Sequence, residues 1–236
     1  ISSLYEGREM GEIWGYVTEG IFQSFDEINQ APAQKKISGE VWRPGDVRYM
    51  NLNNDNEIGY GMATVDEPGD KKIIGNSTPR YKFGLNTEIS IKNFDFNMFW
   101  QGVGKRDYWN DSYIYWGFIK GGGYYGGVGT RFTYNNSWTS ERSDAFFPAY
   151  KDGAKNKEVQ TRYLLNAAYA KLRNLTFGYT LPHDITTKIK INKLRIYASG
   201  YNFLTITKIP NFFNPESIGD YYPTMKSYTV GIQMTF

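Results

Sequence analysis

The stretch "RYKFGLNTEISIKNFDFNMFWQG", Arg80 to Gly102, decides the fold. Tyr81, Phe83, Leu85, Thr87, Ile89 and Ile91 fall on one side of an extended chain, and Lys82, Gly84, Asn86, Glu88 and Ser90 on the other. After Lys92 and Asn93 the alternation resumes, with Phe94, Phe96, Met98 and Trp100 set against Asp95, Asn97 and Gln101. A period of two is the signature of a strand with one apolar and one polar face. Two such runs on either side of a two-residue polar turn predict an antiparallel hairpin.

The same pattern recurs downstream. "KLRNLTFGYTLP" alternates through Leu175, Phe177, Tyr179 and Leu181. "KLRIYASGYNFLTIT", Lys193 to Thr207, begins the same way and blurs in its second half. "SYTVGIQMTF" closes the chain with Tyr228, Val230, Ile232, Met234 and Phe236 on one face. Five strands are therefore expected, at 80–91, 94–104, 168–181, 193–207 and 226–236. Taken alone, the closing strand favours a soluble β-sandwich over a membrane barrel. Strand length favours the barrel: each exceeds the usual 5 or 6 residues of a globular strand and fits the roughly 9 to 11 tilted residues that cross a bilayer. The connections agree, since 92–93 and 182–192 are short whereas 105–167 and 208–225 are long. Short turns on one side and long loops on the other mark outer-membrane barrels. The expected fold is all-β, an antiparallel transmembrane β-barrel segment with long extracellular loops. Residues 1–79 are mainly extracellular loop, including "EIWGYVTEGIF". Residues 80–104 form the hairpin, 105–167 a long extracellular loop, and 168–236 three further strands.

One stretch reads two ways. "QTRYLLNAAYAKLR" spaces Tyr163, Leu164, Ala167, Ala168 and Leu172 three to four apart among good helix formers, yet it runs straight into a strand.

The net charge of +3 is too mild to argue for nucleic acid. The absence of cysteine rules out disulfides and thiolate metal sites. No run of about 18 apolar residues is present, which excludes a transmembrane helix but not a barrel. The chain begins at Ile1 without a signal peptide and reads as a mature piece of something longer.

Three constellations could carry chemistry. "NLNNDNE" places Asn51, Asn53 and Asp55 on alternate positions, as in an oxygen-ligand loop for Ca²⁺. The twelfth position from Asn51 is Met62 rather than Glu, so no EF-hand is completed, although Asp66 and Asp70 could add carboxylates. The competing reading is an Asx-rich turn, and no other cofactor is expected. The second constellation, Lys105 to Trp138, is crowded with aromatic rings, including Tyr124 and Tyr125, and is broken by glycines. Tyr108, Trp109, Tyr113 and Trp116 could stack on sugar rings or peptide side chains, with Asp111 accepting hydroxyl or amide hydrogens. Alternatively the rings pack on one another and stiffen the loop. Third, Tyr81, Trp100, Tyr179, Tyr228 and Phe236 lie near strand ends, as membrane-interface girdles do. Catalysis is not expected: His183 follows "TLP" in a turn with no Ser or Cys partner indicated, and no phosphate-cradling glycine loop precedes a helix.

"YLLNAAYAKLRNLTFGYTLP", "LRIYASGYNFLTITK", "NPE" and "YTVGIQMTF" resemble the C-terminal end of the SusC/RagA family of TonB-dependent outer-membrane transporters. "GYVTEGIFQS", "PGDVRYMNLNNDNEI", "IIGNSTPRYKFGLN" and "FDFNMFWQGVG" resemble the same family in the same order. The ordered succession, from about Gly11 to Phe236, is more specific than any one block. Two departures stand out: the family's D-x-N-x-D-G stretch reads Asn51, Asn53, Asp55, Asn56 here, and Ala170 replaces a larger apolar residue. The resemblance implies the C-terminal strands of a plugged barrel of about 22 strands in the bacterial outer membrane. It also implies that 160–172 is extended, that Lys82, Asn86, Glu88 and Gln101 line the lumen, and that the terminal aromatic strand is a signal for barrel insertion. Implied partners are a SusD-like surface lipoprotein, the N-terminal plug and remaining strands of the same transporter, the TonB complex reached through that N-terminal part, and outer-membrane lipid. The implied cargo is an oligosaccharide or a peptide. A soluble glycan-binding sandwich and a barrel serving as adhesin or anchor are the alternatives.

Overall fold

A computed structural model describes residues 1, 4–120, 129–219 and 224–236. In chain order the elements are β1 (Glu12–Tyr16), β2 (Thr18–Ile21), α1 (Phe25–Gln30), β3 (Val47–Tyr49), β4 (Lys71–Asn76), β5 (Arg80–Ile91), β6 (Phe94–Lys105), β7 (Asp107–Trp109), α2 (Tyr113–Trp116), α3 (Arg131–Asn135), β8 (Leu164–Asn166), β9 (Tyr169–Thr180), α4 (His183–Thr186), β10 (Lys193–Thr207) and β11 (Ser227–Thr235). They divide into two compact units, Ile1–Thr78 with Asp107–Leu165, and Pro79–Arg106 with Asn166–Phe236.

The second unit is a five-stranded antiparallel sheet in the order β11-β10-β9-β6-β5. Its strands form where alternation predicts them, and the register lines up their faces. Ile91, Phe94, Tyr179, Ile196 and Ile232 make one continuous row, and Ile89, Phe96, Phe177, Ala198 and Val230 the next. On the opposite face run Ser90, Asp95, Gly178, Tyr197 and Gly231, then Glu88, Asn97, Thr176, Ser199 and Thr229. A soluble sandwich would bury the apolar rows against a second sheet. Here Val230 is 78% and Ile232 62% exposed.

Two irregularities interrupt the alternation of the sheet. On β9, Asn174 and Leu172 face consecutive residues of β6, Phe99 and Trp100, so Arg173 is an extra, bulged residue. The bulge shifts the phase of alternation, which places Leu172 and Leu175 three apart on the same face. The stretch from Gln160 that also reads as a helix forms none: 161–163 make a turn, and β8 and β9 follow. On β10 the register shifts between Tyr201 and Leu204, and Asn202 adopts φ 52°. This is the blurred half of that strand.

The first unit has a true core. Tyr16, Phe22, Val47, Tyr49, Ile58, Tyr115, Trp116, Ile119, Phe147 and Tyr163 are buried. Within 1–79, expected to be mainly extracellular loop, lie short strands: β1 pairs with β4 and β2 with β3, all antiparallel. These strands are three to six residues long, too short for alternation to reveal them. Buried amides and carboxylates brace the irregular backbone between them. Gln34 donates to Val47 O (3.0 Å) and accepts from Tyr49 N (2.8 Å). Gln160 donates to Asn156 O and Glu158 O, both 2.9 Å, and accepts from Thr18 Oγ1 at 2.7 Å. Such satisfied polar groups are what a loop-rich core requires.

Candidate functional site

The aromatic segment is assembled by a small cap. Asn110 Oδ1 accepts from Ser112 N (2.9 Å), and the Ser112 hydroxyl accepts from Tyr115 N (3.3 Å), starting α2 as an N-cap. The turn drives Trp116 inward, where its Nε1 donates to Asn110 O at 2.6 Å. Its ring centroid lies 4.9 Å from Tyr163, 5.5 Å from Tyr115, 5.6 Å from Trp109 and 5.9 Å from Phe147. Trp116 is fully buried, so of the five candidate contacts it is a structural centre and offers no face to a ligand. Tyr108 and Trp109 are half-buried. Tyr113 is exposed, with Lys120 Nζ 4.3 Å over its ring. Tyr124 and Tyr125 lie outside the described residues.

Asp111 is exposed but engaged. Lys157 Nζ lies 2.5 Å from Oδ1 and Lys120 Nζ 3.3 Å from Oδ2. Partial burial pushes this carboxyl up, but the hydrogen bonds and charges of Lys157 and then Lys120 outweigh it and hold the group below its usual range. Tyr113, Lys120, Asp111 and Lys157 thus form one cluster in which an exposed ring and carboxylate sit beside two half-buried cations.

In the same unit an open pocket of about 270 Å³ is lined by Glu40, Arg43, Lys151, Asp152, Lys155 and Asn156, among others. Its floor is Asp46, which is buried and fully satisfied. Oδ1 accepts from Asn156 Nδ2 (2.9 Å), and Oδ2 accepts from Arg43 N (2.7 Å) and pairs with Lys155 Nζ (2.8 Å). Sequence reading passed over this cluster because Asp46 lies 110 residues before Asn156 in the chain.

Asn51, Asn53 and Asp55 use their oxygens locally. Asn51 Oδ1 accepts from Asn54 N (2.8 Å), Asn53 Oδ1 from Asp55 N (3.2 Å), and Asp55 Oδ1 from Glu57 N (2.9 Å). This is the Asx-turn arrangement. Asp70, one of the possible outside carboxylates, accepts from Leu52 N and Gly59 N at 2.7 and 2.8 Å. Among the described residues no group of three or more His, Cys, Asp or Glu side chains could hold a metal ion.

The polar face of the sheet is organised by charge. Lys82, Asn86, Glu88 and Gln101 all lie on it. Asp95 on β6 and Arg195 on β10 pair side by side, with Arg195 Nε 2.8 Å from Oδ1 and Nη2 2.5 Å from Oδ2. Gly178 of β9 lies between them, and a Cβ there would stand 2.4 Å from the carboxylate and 2.6 Å from the guanidinium. Farther along the strands Glu216 gathers Lys171 (2.7 Å), Arg173 (3.4 Å), Gln101 (2.5 Å) and Tyr169 (3.5 Å). Burial pushes the Glu216 carboxyl up, but the hydrogen bond and charge of Lys171, with help from Arg173 and Gln101, hold it below the usual range. Arg195 and Lys171 were visible in sequence only as polar members of alternating strands.

No family model matches the chain. Three curated relatives from Formosa agariphila do. TonB-dependent receptor P3 is 29% identical over 99% of this chain, TonB-dependent receptor P39 is 22% identical over 90%, and TonB-dependent receptor P26 is 23% identical over 81%. The fold matches the RagAB peptide importer in its open-open state (TM-score 0.63, 21% identity) and its closed-closed state (TM-score 0.61, 19% identity), each over 95% of this chain. The chain spans less than a quarter of the length of each of these proteins: 23%, 22% and 20% of the receptors, and 22% and 23% of the two structures. Along nearly its whole length, then, this chain is similar to TonB-dependent receptors and has the fold of a RagAB segment, which bears out the resemblance to the SusC/RagA family.

Proposed function

We propose that the chain is a wall segment, with its attached loops, of a TonB-dependent outer-membrane importer of oligomeric nutrients. The observation that carries this reading is the two-faced five-stranded sheet. Its apolar rows are exposed across all five strands, while the opposite face is lined with paired charges, amides and hydroxyls. Lipid on one side and an aqueous passage on the other is the environment that satisfies both faces. The first unit supplies the extracellular surface, and the patch of Tyr113, Lys120, Asp111 and Lys157 is its cargo contact. The partners are a SusD-like surface lipoprotein, the plug and remaining strands of the transporter, and TonB.

Oligosaccharide is the first reading for the cargo. Peptide is the second, supported by the name of the RagAB importer. Deleting the complete gene and measuring growth on single glycans and on defined peptide pools tests both. Loss of growth on one class assigns the cargo. Unimpaired growth on every oligomer overturns the importer reading. A protein that stays monodisperse without detergent argues for the soluble sandwich instead.

A further inference from the structure

Beyond the β10 strand the chain does not run out into solvent. The segment from Lys208 to Gly219 turns back over its own sheet. Ile209, Phe213 and Ile218 are buried. Short internal bonds stiffen it: Phe213 N donates to Pro210 O (2.9 Å), Ser217 N to Asn214 O (3.1 Å), and Asn214 Nδ2 to Ser217 Oγ (3.1 Å). Arg106 Nη1 reaches Pro215 O at 3.4 Å.

The segment's one carboxylate is its anchor. Gln101 and Lys171 oppose each other directly on β6 and β9, and Thr205 of β10 is next in the row. Glu216 lands on that row and receives four donors, two of them cationic. Lys171 is 2% exposed. A lysine this deep on a polar face is tolerable only while paired. The two groups therefore stabilise each other, and each is costly to leave alone.

We propose that residues 208–219 form a strap, clipped by Glu216 onto the Gln101–Lys171–Thr205 row, which narrows the passage along the polar face and releases when cargo passes. The strap rests on the reading of this face as the importer lumen. Loss of a charge-assisted bond of this kind changes the open population about tenfold or more. That is tight enough to stay shut at rest and weak enough to be displaced.

The test uses the full-length transporter in its native membrane, with cysteines introduced singly by Thr205→Cys or Val230→Cys. A water-soluble maleimide reports how often each thiol is reached. Glu216→Gln is expected to speed labelling at position 205 about tenfold and leave position 230 unlabelled. If Glu216→Gln impairs assembly, the pair Lys171→Met with Glu216→Leu, which removes both charges together, is scored in the same way. Equal labelling at position 205 with and without the substitution, while position 230 stays protected, overturns the strap alone. Rapid labelling at position 230 overturns the wall reading, and the strap falls with it.

Discussion

Asp95 and Arg195 are two strands apart, yet their side chains meet in a two-point contact above Gly178, the residue between them that has no side chain. The spacing works only because the middle strand leaves a gap. Gly178→Ala is therefore expected to push the pair apart, with an overpacking cost of about 1–3 kcal/mol. Heat-modifiable mobility of the full-length protein should show a lower transition for Gly178→Ala. An unchanged transition would show that the pair adapts freely.

The two faces of β11 should respond differently to the same substitution. Val230→Lys places a charge on the exposed apolar rows and is expected to cost about 2–4 kcal/mol if it lies near the bilayer centre. Thr229→Lys, one residue away on the polar face, is expected to be nearly neutral. Folding into vesicles, followed by denaturant titration, compares the two. Equal costs would contradict the assignment of faces.

Trp116→Ala should unsettle the first unit. Removing a fully buried tryptophan from among four aromatic partners is expected to cost about 3–5 kcal/mol. Limited proteolysis should then cut within 107–165 well before the barrel strands. Tyr113→Ala, on the surface of the same helix, should leave proteolysis unchanged and lower cargo affinity only if this patch is the contact.

Acid should loosen the Asp111 clasp. Its carboxyl is held below the usual range in the folded protein. The stabilisation is therefore complete above the ordinary aspartate pKa of about 3.9 and is lost as pH falls through the lower folded value. Hydrogen exchange around 111–120 and 157 should rise in that acid window in the native protein. In Asp111→Asn it should already be raised at neutral pH and change less on acidification. A parallel pH response in both proteins would assign the effect elsewhere.

Much of the barrel wall was legible because every second residue faces a different solvent. From Arg80 to Ile91 no tertiary partner is needed to see the pattern. Legibility failed where one residue broke the phase, as at Arg173, or where strands were too short to show a period, as at Val47–Tyr49. In the aromatic segment the role of each ring stayed open. Nothing local distinguishes a ring meant for cargo from one meant for a core, and the Asn110–Ser112 turn sends Trp116 inward. The charged pairs were hidden for a different reason: Asp95 and Arg195, or Lys171 and Glu216, meet only once the register is fixed.

The sheet has two rims. Along the outer sides of β5 and β11, amide and carbonyl groups point away from the sheet, with no neighbouring strand among the described residues. Such rims adhere to any extended backbone that comes within reach. A fragment cut to these boundaries would stack on copies of itself, so its handling in the laboratory would be ruled by that stickiness well before any transport property could be measured.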